Sequence, residues 1–286
     1  MRIQKWLAGA ALTAGIITLL PTAPAVEPSR PSAKPTYGFS TLKAMPTDAV
    51  KAKIQAWLKS IDKLDQAAFD KIWKDEGRSL VDRVADTLAL GNSEAEALLA
   101  TARKPDAPAP TEVPGFLKDE KLDSFFRTNV AVAFAKSLSA KKVYEEALAA
   151  LNAVEPEKAV DPATFFFYKA VTEQALIKRE QSLSSIGRLL DDVTDIPDRY
   201  RVVATQMLFE MLAWSADPKD LLNIEKLMDN SARRLDLSRG GEQTQDIQKK
   251  ILFRLDEVIK EAENKQKQGQ GQCNGGNCPN GGQPGN

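Results

Sequence analysis

Apolar side chains recur at steps of three and four residues from about residue 47 to residue 262. The first row runs through Val50, Ile54, Trp57, Leu58 and Ile61. This spacing places apolar groups along one side of an α-helix, and no run of β-branched residues alternates with polar ones as a strand requires. The pattern predicts an all-α fold of amphipathic helices.

Two proline-rich segments interrupt the helical pattern. Residues 26–46 and residues 104–115 contain four prolines each, and proline both removes a backbone donor and disrupts a helix. We interpret residues 26–46 as an extended leader and residues 104–115 as a linker between two domains.

The segment between them, residues 47–103, is expected to form a small helical unit of three helices. Thr47 or Asp48 is placed to cap the first helix, and Ser93, with Glu96 three residues later, is placed to cap the last.

The second half of the chain, residues 116–263, is self-similar. Residues 129–154 and 167–190 each have the pattern of two helices joined by a short turn. A small residue stands where the two helices would cross, Ala147 in the first copy and Ser182 in the second, 35 residues later. This offset predicts repeated helical hairpins.

The pattern continues after the second copy. Residues 200–213 and 218–237 predict a third hairpin, and residues 244–262 predict a last helix that packs back on the one before it. A helical bundle whose hairpins only look periodic remains an alternative architecture.

The segment Tyr144-Glu145-Glu146-Ala147-Leu148 resembles the second-helix signature of a tetratricopeptide repeat, whose period is about 34 residues. The resemblance implies TPR-like hairpins that stack into an array and bind a protein or peptide in a groove. Residues 120–286, with Arg233-Arg234 and a Gly/Asn/Cys tail, also resemble an uncharacterised family of exported bacterial proteins, which implies no known activity.

The N-terminus has the features of a secretory signal peptide. Arg2 and Lys5 precede an apolar run that ends at Leu20, and Ala23 and Ala25 form a cleavage pattern. Residues 1–25 are therefore expected to be removed, which predicts an exported protein of the periplasm, cell envelope or extracellular space. No later segment is apolar enough to span a membrane, so no integral membrane segment is expected after cleavage.

Composition narrows the possible chemistry. Without residues 1–25 the chain has 37 basic and 39 acidic residues, a net charge of −2, so no nucleic-acid partner is expected. The absence of histidine excludes Ser-His-Asp catalysis and histidine metal sites. No glycine-rich phosphate loop follows a strand, and we expect no cofactor, no metal and no catalytic residue.

Three pairs of adjacent carboxylates could in principle supply a general acid and base: Asp119-Glu120, Glu145-Glu146 and Asp191-Asp192. Adjacent acids on a helix point in different directions, and a solvated surface is their ordinary role. A carboxylate-dependent envelope enzyme that acts on glycan or peptide is therefore kept only as an alternative function.

The densest aromatic cluster is Phe165-Phe166-Phe167-Tyr168. Core packing is the simplest role for it, but four consecutive positions cover more than one face of a helix. At least one ring is expected to be partly exposed, which makes these residues candidates for a partner-binding site.

The tail, residues 264–286, is rich in Gly, Gln and Asn and is expected to be disordered. It holds both cysteines, Cys273 and Cys278, which could form a local disulfide, form an intermolecular disulfide or stay as free thiols.

The preferred function is a non-catalytic helical-repeat protein that mediates protein–protein interaction in the envelope. A structural protein cross-linked through the tail cysteines is a further alternative.

Overall fold

The computed structural model describes residues 41–271, and within them the regular structure is entirely helical. This confirms the all-α prediction for that part of the chain, where no strand occurs and no helix is long and apolar enough to cross a membrane. The predicted signal peptide, most of the leader, and the cysteines Cys273 and Cys278 lie outside the described residues. The helices are α1 (Thr47–Ser60), α2 (Gln66–Lys74), α3 (Leu80–Ala89), α4 (Ser93–Arg103), α5 (Ser124–Ala140), α6 (Tyr144–Asn152), α7 (Pro162–Ala175), α8 (Arg179–Asp192), α9 (Asp198–Leu212), α10 (Leu221–Asp236) and α11 (Glu242–Gly271), with single-turn 3-10 helices at Gly115–Leu117 and Pro156–Lys158.

The segment 47–103 forms four helices rather than the predicted three. Side chains cap three of them, since Asp65, Ser79 and Asn92 each accept a hydrogen bond from a backbone N–H of the first turn. The cap of α4 is therefore Asn92, and the predicted Ser93 is the first residue of the helix. The residue before α1 is Pro46, whose side chain makes no capping hydrogen bond, and Thr47 and Asp48, predicted as caps, are the first two residues of the helix.

The linker predicted at residues 104–115 does not separate two cores. Its prolines exclude an α-helix, as expected, but α3 and α4 on one side of it both pack against α5 on the other. Buried apolar residues from α1 through α9 form one continuous cluster, which does not include the buried Ile224 of α10 and Ile251 of α11. All described residues accordingly belong to a single compact unit.

Residues just before α1 also reach the second half of the chain. The backbone of Leu42 donates to the Asp192 carbonyl and accepts from the Thr194 N–H, both at 2.9 Å. Met45 donates to the Val160 carbonyl at the same distance. The end of the predicted leader is thus fixed beside α8.

The hairpins α5–α6 and α7–α8 match the two predicted copies. Ala147 and Ser182 are both fully buried, and the Ser182 hydroxyl donates to the Ala170 carbonyl across the crossing at 2.9 Å. Each hairpin reverses at a residue with a left-handed backbone, Lys142 in the first and Ile177 in the second, each with φ of 60°. The two turns lie 35 residues apart, the same offset as the crossing residues.

The third predicted hairpin is not formed. Helix α9 packs on α7 and α8, whereas α10 pairs with α11. The last helix therefore packs back on the one before it, as predicted, but α10 and α11 make their own hairpin after α9.

Helix α11 continues through Gly271, past the start of the tail predicted at residue 264. Residues 260–268 consist mainly of Lys, Glu and Gln, which are good helix formers, and Glu261 and Lys265 have the i,i+4 spacing of a favourable ion pair. The low apolar content of the segment after residue 263 therefore did not correctly predict where α11 ends.

Gly91, two residues after the end of α3, is expected to reject a side chain. A Cβ atom there would lie 2.5 Å from Trp57 Cη2 and 2.8 Å from Ile61 Cδ1. The Trp57 ring is held by stacking on Phe126, with ring centroids 5.5 Å apart. Gly91→Ala is therefore expected to lower the free energy of unfolding by about 1–3 kcal/mol, measured by urea denaturation.

Gly187, inside α8, provides the matched control because a Cβ added there meets no atom within 4 Å. Gly187→Ala is expected to raise the free energy of unfolding by about 0.5–1 kcal/mol through helix propensity. Equal effects of the two substitutions would contradict the steric role of Gly91.

Candidate functional site

A groove of about 600 Å³ lies between the C-terminal ends of α7 and α9 and one side of α10. It contains apolar, aromatic and charged groups of both signs. The residues that line it are Lys142, Tyr144, Val171, Gln174, Ala175, Ile177, Glu210, Trp214, Lys226, Asp229, Asn230, Ala232, Arg233 and Asp236.

One wall of the groove is held in place by a cluster of five charged residues, here called the arginine cluster: Arg233, Arg234, Arg239, Glu145 and Glu146. Arg233 binds the Glu145 carboxylate with both terminal nitrogens, at 2.9 and 2.7 Å, and also donates to the Lys142 carbonyl at 2.9 Å. Arg234 contacts the same carboxylate and donates to Thr244 of α11 at 2.8 Å. The cluster therefore joins α10 and α11 to the start of α6.

Arg239 extends the cluster to a third part of the chain. It donates to Glu146 Oε2 at 2.9 Å and to the Pro110 carbonyl, in the proline-rich segment, at 2.6 Å. It also lies 3.4 Å from Glu145. Pro110 is thereby connected to the turn between α10 and α11.

The helix ends favour this arrangement. Arg233 and Arg234 stand in the last turn of α10, where the backbone dipole favours cations, and Glu145 and Glu146 stand in the first turn of α6, where it favours anions. The two arginine side chains are only 8 % exposed, so their charges depend on the carboxylates for compensation.

Burial and charge act in opposite directions on Glu145. Burial alone would raise its pKa, but the hydrogen bonds and charge of Arg233, with a smaller effect from Arg234, hold the pKa of Glu145 below its ordinary value. Glu145 is thus an anion that neutralises buried arginines. A general acid needs a raised pKa instead.

The groove also contains charges that no described residue neutralises. Asp229 and Asp236 are exposed on α10 and make no ion pair with the described part of the chain. The Lys226 ammonium lies 4.8 Å from the centre of the Trp214 ring, whose buried indole N–H has no hydrogen-bond partner among residues 41–271. Exposed acids beside an aromatic ring suit contact with a polar chain segment more than with a purely apolar ligand.

The predicted aromatic site lies apart from the groove. Phe165 and Phe166 are core residues, and Phe167 and Tyr168 are half-buried against Tyr200, with the Phe167 and Tyr200 rings stacked at 4.1 Å. Burial, together with the neighbouring Tyr200, raises the pKa of Tyr168 to about 12. None of the four aromatic residues lines the groove.

The other two carboxylate pairs are not combined into one site. Asp192 is buried and accepts from Arg188 at 3.1 Å, whereas Asp191, Asp119 and Glu120 are exposed. Among residues 41–271, no three carboxylate or cysteine side chains are placed to hold one metal ion.

Sequence reasoning did not identify the arginine cluster as a site. The available signal was a pair of adjacent arginines at the end of a predicted helix, but its partner, Glu145, lies almost ninety residues earlier in the chain.

Comparisons with protein-family models, with curated proteins and with solved structures found no match to this chain.

Proposed function

We propose that this chain is a non-catalytic, exported helical-repeat protein that binds a segment of another protein in the groove between α7, α9 and α10. The observation that carries the proposal is the groove itself, which is open, is lined by the turns of the hairpins α5–α6 and α7–α8 and by α9 and α10, and contains acids that no described residue pairs with. A segment of a partner protein that carries basic side chains would supply partners for Asp229 and Asp236.

The repeat geometry supports a TPR-like arrangement as part of this proposal. Lys142 and Ile177 occupy equivalent turns, and both line the groove. Side chains at equivalent turns of stacked hairpins form regularly spaced contact points, which is how helical arrays bind extended segments.

The alternative of a carboxylate-dependent enzyme has less support. Its best-placed pair, Glu145-Glu146, is occupied by three arginines, and the pKa of Glu145 is lowered. A glycosidase needs one carboxylic acid with a raised pKa opposite a second carboxylate. Glu145 therefore suits a structural role in the wall of the groove.

Site-specific photo-crosslinking tests the binding proposal. A photoreactive amino acid at Asp229, in the groove, is expected to crosslink one discrete partner in a cell-envelope extract. The same amino acid at Asp191, which is exposed on α8 outside the groove, is the matched control and is expected to give no such product.

A charge reversal then tests the chemistry of recognition. Asp236→Lys removes one unpaired acid without touching a buried contact, and it is expected to reduce the Asp229 crosslink about tenfold, the effect of about 1.4 kcal/mol. Identical crosslinks from Asp229 and Asp191, or none from Asp229, would contradict binding in the groove.

A further inference from the structure

A second apolar surface, here called the hairpin face, lies on α10 and α11. On α10, Leu221, Met228 and Leu235 follow one another at steps of seven residues and are 63 %, 43 % and 49 % exposed. On α11, Leu252 and Ile259 show the same step and are 64 % and 55 % exposed. Single exposed leucines are ordinary, but two rows with the same spacing are not.

Two contacts fix which residues of the two helices lie side by side. Arg234 contacts Thr244 near the turn, and Lys219 forms an ion pair with Glu261 at the other end. Because the helices run antiparallel, these contacts put Met228 level with Leu252 and Leu221 level with Ile259.

Helix periodicity places both rows on the same side of the hairpin. On α10, Arg233 faces α6 and Arg234 faces α11, so at 100° per residue the row of Leu221 and Met228 lies on the side away from α6. On α11, Leu252 follows the buried Ile251 and is a quarter turn further round. On each helix, the exposed row is thus roughly a quarter turn further round, in the direction of increasing residue number, than the side that faces the other helix. Because the two helices are antiparallel, this rotation brings both rows to the same side of the hairpin.

The area of the hairpin face is that of an interface. From their exposed fractions, the five side chains present about 500 Å² of apolar surface per copy, near the upper end for the largest patch of a monomer. Two such faces in contact would bury about 1,000 Å² from these residues alone. With the surrounding polar rim, the total approaches the roughly 1,600 Å² of a stable complex.

The charge pattern indicates which partner fits. Between the rows, α10 carries Ile224 and Ser231 and α11 carries Gln248 and Leu255, none of them charged, so two copies of the face could meet without burying like charges at these positions. Exposed charges of both signs flank the rows, Glu225 on α10 and Lys249, Asp256 and Lys260 on α11. A helix pair that lies on an anionic membrane would instead carry an excess of Lys and Arg at those margins.

We infer that the hairpin face binds the same face of a second copy, so that α10 and α11 of two chains form a four-helix bundle. Rows at steps of seven residues are the pattern with which helices pack in such bundles. This surface is independent of the groove because it lies on the side of the hairpin that points away from α6.

Sedimentation equilibrium of the purified chain without residues 1–25, under reducing conditions and from 1 to 100 µM, tests the inference. A dimer with twice the mass of the monomer is expected. Leu252→Glu is expected to weaken dimerisation at least a hundredfold, because two charges would enter the apolar interface. Phe209→Glu is the matched control: Phe209 is 66 % exposed but lies on α9, and the variant is expected to dimerise like the wild type.

Several outcomes would overturn the inference. A wild-type chain that stays monomeric at 100 µM, a Leu252→Glu variant that dimerises normally with an unchanged circular dichroism spectrum, or equal losses in both variants would each do so. A dimer that forms only when the reductant is left out would instead point to Cys273 and Cys278. Sedimentation of the monomer with phosphatidylglycerol vesicles would assign the face to a membrane surface.

Discussion

Replacing Phe166 with alanine is expected to lower the free energy of unfolding by about 3–5 kcal/mol, the largest effect of any single substitution proposed for this protein. Phe166 is 1 % exposed, packs edge-on against Phe165 with centroids 5.2 Å apart, and lies under the Arg188 guanidinium at 4.5 Å. Its removal leaves a cavity between helices that cannot close without moving α7. Urea denaturation followed by circular dichroism measures the change.

Phe209→Ala is the matched control for this experiment. The chemical change is the same, but Phe209 is exposed on α9, so the expected loss is about 0.5 kcal/mol. A loss of partner binding in a Phe166→Ala variant that kept its full stability would show that Phe166 is a contact residue and not a core residue.

The second large effect is expected at Glu145. Glu145→Gln keeps the size of the side chain but removes the charge that compensates Arg233 and Arg234, and loss of one partner from a largely buried ion pair costs about 3 kcal/mol. Hydrogen exchange is expected to accelerate most in α10 and α11, which this cluster fastens to α6. Glu94→Gln, at an exposed glutamate that makes no ion pair with the described residues, is expected to lower stability by less than about 1 kcal/mol through the dipole of α4 and to leave exchange in α10 and α11 unchanged.

The pH dependence of stability provides an independent check of the same cluster. Because the folded pKa of Glu145 lies below its ordinary value of 4.5, its stabilisation is fully present above about pH 4.5 and is lost as pH falls through the folded pKa. The difference in melting temperature between the wild type and Glu145→Gln is expected to be constant from pH 7 to pH 5 and to shrink below that range. A difference that grew on acidification would contradict the ion-pair role.

Asp82 adds to the acid sensitivity of the wild type. Burial opposes its ionisation, but hydrogen bonds from Lys136 and Ser79 and the charge of Lys136 lower its pKa below the ordinary value of 3.8. As for Glu145, the folded pKa is lowered, so the stabilisation by Asp82 is present above about pH 3.8 and is lost as pH falls through its folded pKa. This loss begins at a lower pH than the loss of the stabilisation by Glu145. The stabilisation by Asp82 is present equally in Glu145→Gln and therefore cancels in the comparison.

The sequence determined the local structure because helix formation depends mainly on neighbouring residues. Apolar spacing of three and four residues identified α5 to α8 as helices, and the 35-residue offset of Ala147 and Ser182 located equivalent crossings that are both fully buried. The aromatic cluster shows where this reasoning stops. Its position on a helix was predictable, but which rings face the core depends on the elements that pack on either side.

Only the tertiary structure decided how the helices are combined. The prolines of residues 104–115 exclude a helix, which is a local effect, but whether the flanking helices share a core depends on contacts between α3, α4 and α5. In the same way, α10 and the turn after it are fastened to α6 because Arg233, Arg234 and Arg239 bind Glu145 and Glu146, about ninety residues earlier in the chain. Local periodicity fixes which face of a helix is apolar. The partner of that face is selected by packing and charge compensation between distant segments, which no local pattern encodes.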